Sequence, residues 1–155
     1  GLKLTPDDLE AYLDSLSQQG RGHDTLATYR RNVHALYDGL PEDKTVRPGT
    51  LARWQRTLLE GGYSPRTVNV RMSVANSLMA FLGRSAVTDS MKQLCRDARV
   101  PEEKANPRCL KRLWQSTQDG IRTQIDLLVE QACDRLMEAE QLTVGWDVGK
   151  GVSDV

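Results

Sequence analysis

The chain has little that would support covalent or metal chemistry. It holds three cysteines, Cys95, Cys109 and Cys133, and two histidines, His23 and His34. The cysteines are odd in number, widely spaced and without a C-x-x-C pair, which argues against both a disulfide framework and a zinc site. Reduced thiols and a cytoplasmic location are therefore expected. No G-x-G-x-x-G, no G-x-x-x-x-G-K-[ST] and no H-E-x-x-H occurs, so no cofactor and no metal is expected. Neither histidine lies in a motif that would suggest a Ser-His-Asp triad. No apolar run approaches the roughly 18 residues that span a bilayer, nothing at the start resembles a signal peptide, and no membrane partner is expected. Alternating apolar and polar residues never persist beyond a few positions, so no strand is expected.

What is present is ordinary in amount and uneven in place. The 155 residues are 39% hydrophobic and 27% charged, enough for a buried core in one domain or in two small helical ones. The net charge is zero, so the chain as a whole is not polybasic. Residues 47–84, however, carry Arg47, Arg53, Arg56, Arg66, Arg71 and Arg84 against the single acid Glu60. The positive potential is local.

Helical punctuation divides the chain. Thr5 caps a first helix over Pro6 to Gln19, with Asp7 and Asp8 at its positive end and Leu9, Tyr12, Leu13 and Leu16 inward. A second helix, capped by Asp24, runs from Thr25 to Tyr37, with Leu26, Tyr29, Val33, Leu36 and Tyr37 inward and Arg30 and Arg31 beside that stripe. Asp38-Gly39 reads as a stop, and Pro41 to Pro48 as a loop. A third helix covers Pro48 to Glu60, with Leu51, Trp54, Leu58 and Leu59 inward, and Gly61-Gly62 ends it. The fourth is the stretch Ser64 to Gly83. Ser64 is its cap, Pro65 its first residue and Gly83 its stop. Val68, Met72, Ala75, Met79 and Leu82 recur at steps of four and three, which makes one apolar stripe. Off that stripe stand Arg66, Thr67, Asn69, Arg71 and Ser73, with no carboxylate among them. Such a face can lie against an acidic polymer.

Beyond Gly83 the pattern continues as helices. Val87 to Ala98 is one, with Val87, Met91, Leu94 and Cys95 inward. Asn106 and Pro107 cap and open another, expected to reach Asp119. A long helix follows from Ile121 to Gln141, with Ile125, Leu128, Ala132 and Leu136 on its stripe. Glu130, Asp134, Glu138 and Glu140 read as its wet face. Trp146 is expected to cover that helix, and the last nine residues to be frayed. The expected fold is all-α: a four-helix unit over residues 1–84, then a smaller helical segment over 85–155.

The first 84 residues resemble the SAM-like core-binding domain of phage-integrase-type tyrosine recombinases. The resemblance rests on LTPDDLEAYLDSL, on DTLATYRRNVHALYDGL with Thr25 and Tyr29, and on GGYSPRTVNVRMSVANSLMAFLG with Gly62, Ser64, Arg66, Thr67 and Val68. It implies a bundle that grips double-stranded DNA through its second and fourth helices. The implied contacts are Thr25, Thr28, Arg30 and Arg31 on the second, and Ser64, Arg66, Thr67, Asn69 and Arg71 on the fourth. Ser73, four residues after Asn69, shares its face and joins the candidates for base contact.

The stretch SAVTDSMKQLCRDARVPEEKANPRCLKRLW resembles the approach to the same family's P-H-x-L-R box, of which Pro107 and Leu110 remain. Arg108 stands where the family has His, and Lys111 where it has Arg. Lys keeps the charge but not the fork that grips a phosphate in two places. The resemblance also implies a sheet with further catalytic residues, for which the 22 residues between Gly83 and Asn106 have no room. No tyrosine follows Tyr63, so the nucleophile that would form a phosphotyrosyl link has no candidate. The expected function is a DNA-binding module of a mobile-element integrase, catalytically incomplete, with self-association through residues 121–139 where the family's sheet would otherwise cover apolar surface. Two other readings stay open. One is a helical protein-interaction module, and the other is part of an active recombinase completed by a missing piece.

Overall fold

The computed structural model describes residues 1–116 and 119–145, with the backbone alone for Asp119; Trp146 and the tail lie outside them. Along the described residues run β1 (Leu2–Lys3), α1 (Pro6–Gln18), α2 (His23–Gly39), β2 (Thr45–Val46), α3 (Thr50–Glu60), α4 (Pro65–Asp97), α5 (Pro107–Ser116) and α6 (Asp119–Gln141). A single 3-10 turn, Glu102–Lys104, precedes α5. The described residues divide into two compact units: Gly1–Leu82 with residues 139–145, and Gly83–Glu138.

The first unit is the four-helix bundle that the apolar spacing predicts. Thr5 and Asp8 cap α1 reciprocally: the Asp8 N–H donates to Thr5 Oγ1 at 3.2 Å and the Thr5 N–H to Asp8 Oδ2 at 3.0 Å. Leu9, Tyr12, Leu13 and Leu16 are all buried. So is the whole α4 stripe of Val68, Met72, Ala75, Met79 and Leu82, joined by Val74 and Leu78. Each fully buried large aliphatic side chain contributes about 1.5–3 kcal/mol. Tyr12 fastens three helices at once. Its hydroxyl donates to Ser77 Oγ at 2.7 Å, and its ring packs against Tyr29 and Phe81.

Several helix ends differ from expectation. The cap of α2 is Gly22, and Asp24 lies within the first turn, where its charge still suits the helix dipole. The helix also runs through Asp38 to Gly39. The polar loop after it contains β2, which pairs antiparallel with β1, Leu2 opposite Val46. Two-residue strands are too short to show a period in sequence, and the ladder is fixed by burial of Val46 and Leu4. In the same loop Arg47 donates to Asp43 at 2.9 Å. That contact and the Thr45 N–H hold the Asp43 carboxyl below its usual range. This contribution is present at neutral pH and is lost as acid protonates Asp43.

The larger correction concerns Gly83. It does not stop a helix: α4 continues unbroken for 33 residues to Asp97. One interior Gly costs about 1 kcal/mol relative to Ala. No Pro or second Gly follows until Pro101, so nothing reinforces the stop. The real terminus comes later, where Arg99 takes a left-handed φ of 57° and the Val100 N–H closes on the Cys95 carbonyl at 2.8 Å.

Residues 139–145, which the sequence pattern groups with the second segment, pack in the first unit. Leu142 is buried in its core. Asn76 clamps Val144 from both sides, its Nδ2 donating to the carbonyl at 2.8 Å and its Oδ1 accepting from the N–H at 3.0 Å. Gln55 Nε2 donates to the Gly145 carbonyl at 3.1 Å.

The second unit has a small core of Met91, Leu94, Cys95, Leu110, Ile125 and Leu128. Asn106 caps α5, its Oδ1 accepting from the Cys109 N–H at 2.9 Å. Of the predicted α6 stripe, Ile125 and Leu128 are buried, Ala132 is half-buried and Leu136 is 43% exposed. Glu130, Asp134, Glu138 and Glu140 are exposed, as expected for a wet face.

Gly39 tests which effect controls the end of α2. A Cβ there would clash with the Trp54 indole at Nε1. Helix propensity alone favours Gly39→Ala by about 1 kcal/mol, but the buried indole cannot yield without disturbing the core. Overpacking of this kind costs about 1–3 kcal/mol. Gly39→Ala is expected to lower the urea midpoint with the slope unchanged; a raised midpoint would show that Trp54 moves freely.

Candidate nucleic-acid interface

The local chemistry of α4 places its polar residues in a definite order. Ser64 Oγ accepts from the Thr67 N–H at 3.2 Å and donates to Thr67 Oγ1 at 3.1 Å. Ser64 and Thr67 are thus occupied with each other at the cap. One turn on, at roughly 100° per residue, positions 66, 69 and 73 fall within about 60° of arc, whereas 71 lies about 140° from 66. Arg66, Asn69 and Ser73 accordingly share a face.

That face meets α2. Thr28 and Tyr29 from α2, with Pro65, Arg66, Asn69, Val70, Ser73 and Val74 from α4, line one open groove of about 520 Å³. No carboxylate occurs among the described residues that line it. Its charge comes from Arg66 and from the positive end of α4. Between the polar groups stands Val70, 41% exposed. The lining therefore offers a cation, an amide, three hydroxyls and an apolar patch, which are groups suited to phosphate, base edges and a thymine methyl.

The other candidates do not line this groove. Arg30 turns to α1 and forms an ion pair with Glu10 at 2.7 Å. Arg31 Nη2 donates to Thr28 Oγ1 at 3.4 Å and so stands beside the groove. Thr25 is exposed on α2. Arg71 lies with its guanidinium 4.5 Å from the Tyr63 ring centroid, and its Nε is buried without a hydrogen-bond partner among the described residues. Arg108 and Lys111 belong to the second unit, both exposed on α5. Lys111 lines an apolar groove there beside Trp114 and Leu136. Tyr29, Pro65, Val70 and Val74 line the groove and are absent from the predicted set. The signal for Val70 was in the sequence, since it sits four residues after Arg66 and three before Ser73.

Among the described residues no cluster of three or more His, Cys, Asp or Glu could hold a metal ion. No described helix is long and apolar enough to cross a membrane. All three cysteines are free thiols. Burial pushes the Cys95 thiol up, with Cys109 and Glu102 adding to the effect.

A helical bundle with an acid-free groove between its second and fourth helices has the form of a DNA-binding module. Residues 3–86 match the family model of the phage integrase N-terminal SAM-like domain, and the chain belongs to that family, the tyrosine recombinases and integrases. The match ends inside α4. Neither the curated proteins nor the solved structures compared with the chain give a match.

Two substitutions separate a capping role from a surface role. Ser64→Ala is expected to lower stability by about 1 kcal/mol, and Arg66→Ala to stay within about 0.5 kcal/mol of the parent. Denaturant midpoints measure both. Equal, large losses would mean that Arg66 is part of the packing.

Proposed function

We propose that the chain is the duplex-gripping module of a mobile-element integrase and that these 155 residues do not cut DNA by themselves. The observation that carries the reading is the convergence of Thr28, Arg66, Asn69 and Ser73 on one acid-free groove. Arg66 positions a backbone phosphate at the N-terminus of α4, where the helix dipole already favours an anion. Asn69 and Ser73 reach base edges, and Asn is suited to a bidentate contact with adenine. Arg31 and Thr25 flank on α2. Arg71, stacked on Tyr63, and Arg30, paired with Glu10, shape the surface from behind. The inactive half of the reading rests on residue types. No tyrosine follows Tyr63, Arg108 stands where the family has His, and Lys111, where the family has Arg, offers no phosphate fork.

A salt titration on specific and random duplexes tests this. Arg66→Ala should weaken binding to all sequences and flatten the salt slope by about one unit. Asn69→Ala should cost about 1–3 kcal/mol at one base position and relax preference there. The bound duplex should run free of protein on a denaturing gel. Parent-like binding by both variants would remove the groove from the interface, and a denaturation-resistant adduct would overturn the inactive half.

A protein-interaction reading has its own support in the second unit. Its groove of about 460 Å³ runs between α4, α5 and α6 and is lined by Val87, Met91, Leu110, Val129 and Leu136. On its α5 side the groove is edged by Lys111, and on its α6 side by Asp126. Two copies related by a two-fold axis can set each Lys111 against the other's Asp126. We take a second copy as the occupant. Sedimentation should show a dimer that Leu136→Asp dissociates; a strict monomer at high concentration would remove this reading.

A further inference from the structure

Most cations with a described contact are already used. Arg30, Arg47 and Arg96 pair with Glu10, Asp43 and Glu102, and Arg71 and Arg122 lie over Tyr63 and Trp114. Arg99, Lys104 and Arg112 differ. None of them is engaged in an ion pair or side-chain hydrogen bond among the described residues. All three line one concavity of about 280 Å³ in the second unit, together with Cys109, Leu113 and Ser116. No carboxylate occurs among the described residues of that lining. The nearby Glu102 is held by Arg96 at 2.6 Å. Three like charges in one concavity repel each other unless an anion joins them.

The backbone helps to fix this arrangement. Arg99 occupies a left-handed φ of 57°, which is uncommon for a residue other than Gly, Asn or Asp. It is held there by the end of α4, through the Val100 N–H bond to the Cys95 carbonyl. Cys109, Arg112 and Ser116 follow at steps of three and four, one face of α5 turned to the same space.

We propose that this concavity is a phosphate-binding site, with Arg99, Lys104 and Arg112 as its cationic walls, and that the phosphate it takes belongs to a nucleic-acid backbone. It is a contact separate from the α2–α4 groove, and only the source of the phosphate rests on the DNA-binding reading. Two guanidinium groups offer forked donors to a tetrahedral anion, and Lys104 adds a point charge. Ser116, whose hydroxyl donates to the Leu113 carbonyl at 3.3 Å, also lines it.

Cys109 is a reporter built into the site. In the Cys133→Ser chain of 155 residues, which removes the exposed thiol, the rate of Cys109 alkylation by a neutral reagent is measured alone, with inorganic pyrophosphate and with a short duplex. Duplex should slow alkylation at least fivefold at low salt, and protection should vanish in Arg99→Gly/Lys104→Gln/Arg112→Gln. That variant should also flatten the salt slope of duplex binding by about two to three units. Gly suits the left-handed φ at position 99, so the variant should fold; Arg112→Gln alone serves as the second variant, with partial loss. Protection by pyrophosphate but not by duplex supports the phosphate site and assigns it to free phosphate. Protection by neither, with the salt slope of the parent kept in the variants, overturns the proposal. Arg66→Ala is titrated in parallel. If duplex binding depends on Arg66 while Cys109 stays unprotected, this site falls and the groove reading stands. If duplex does not bind but pyrophosphate protects Cys109, the groove reading falls and this site stands.

Discussion

The first unit depends on the burial of one face of α4. Val68, Met72, Leu78 and Met79 are wholly removed from water there, and the other three helices are arranged around them. A helix buried along one face has its other faces assigned by rotation alone. Once Val68 and Met72 point inward, Arg66, Asn69 and Ser73 must lie toward α2. The groove is thus a consequence of core packing, and its polar residues need not stabilise anything. Tyr12 adds direction to this non-specific attraction. Its hydroxyl reaches Ser77 and its ring reaches Tyr29 and Phe81, so α1, α2 and α4 keep one mutual register. Disturbing that register would displace Thr28 from Asn69.

The cations divide along the same logic. Arg30 and Arg71 have partners nearby, a carboxylate in one case and an aromatic face in the other. Exposed ion pairs are worth about 0–1 kcal/mol, so Arg30–Glu10 adds little to stability; what it does is keep Arg30 away from the groove. Arg66 has no such contact among the described residues and remains at the positive end of its helix. A basic count over residues 47–84 is therefore a poor guide to the interface, because each side chain answers to its own neighbours.

Much of the first unit was legible. The buried faces of α1, α3 and α4 follow from steps of three and four, which report a helix whatever surrounds it. The Thr5 and Ser64 caps follow from side-chain chemistry confined to one turn. The candidate site was legible in part. Asn69 and Ser73 could be placed on one face by angle, whereas Arg30 and Arg71 could not be removed from it. Their partners Glu10 and Tyr63 lie 20 and 8 residues away in sequence, and local pattern does not rank such meetings.

The sequence alone determined which segments are helical, which faces are apolar and which residue types are missing, because these depend on local spacing and composition. It also carried the family, through the residues matched over 3–86. The tertiary structure decided where helices stop and what they close upon. Gly83 looks like a terminus in isolation, yet α4 continues through it because a single weak residue cannot end a helix whose flanks favour it. Residues 139–145 return to the first unit because Leu142 finds its core and Val144 finds Asn76, 68 residues away. Arg99, Lys104 and Arg112 read in sequence as three scattered charges. Only the left-handed turn after α4 and the face of α5 bring them to one concavity, since convergence is a property of the folded chain and has no local signal.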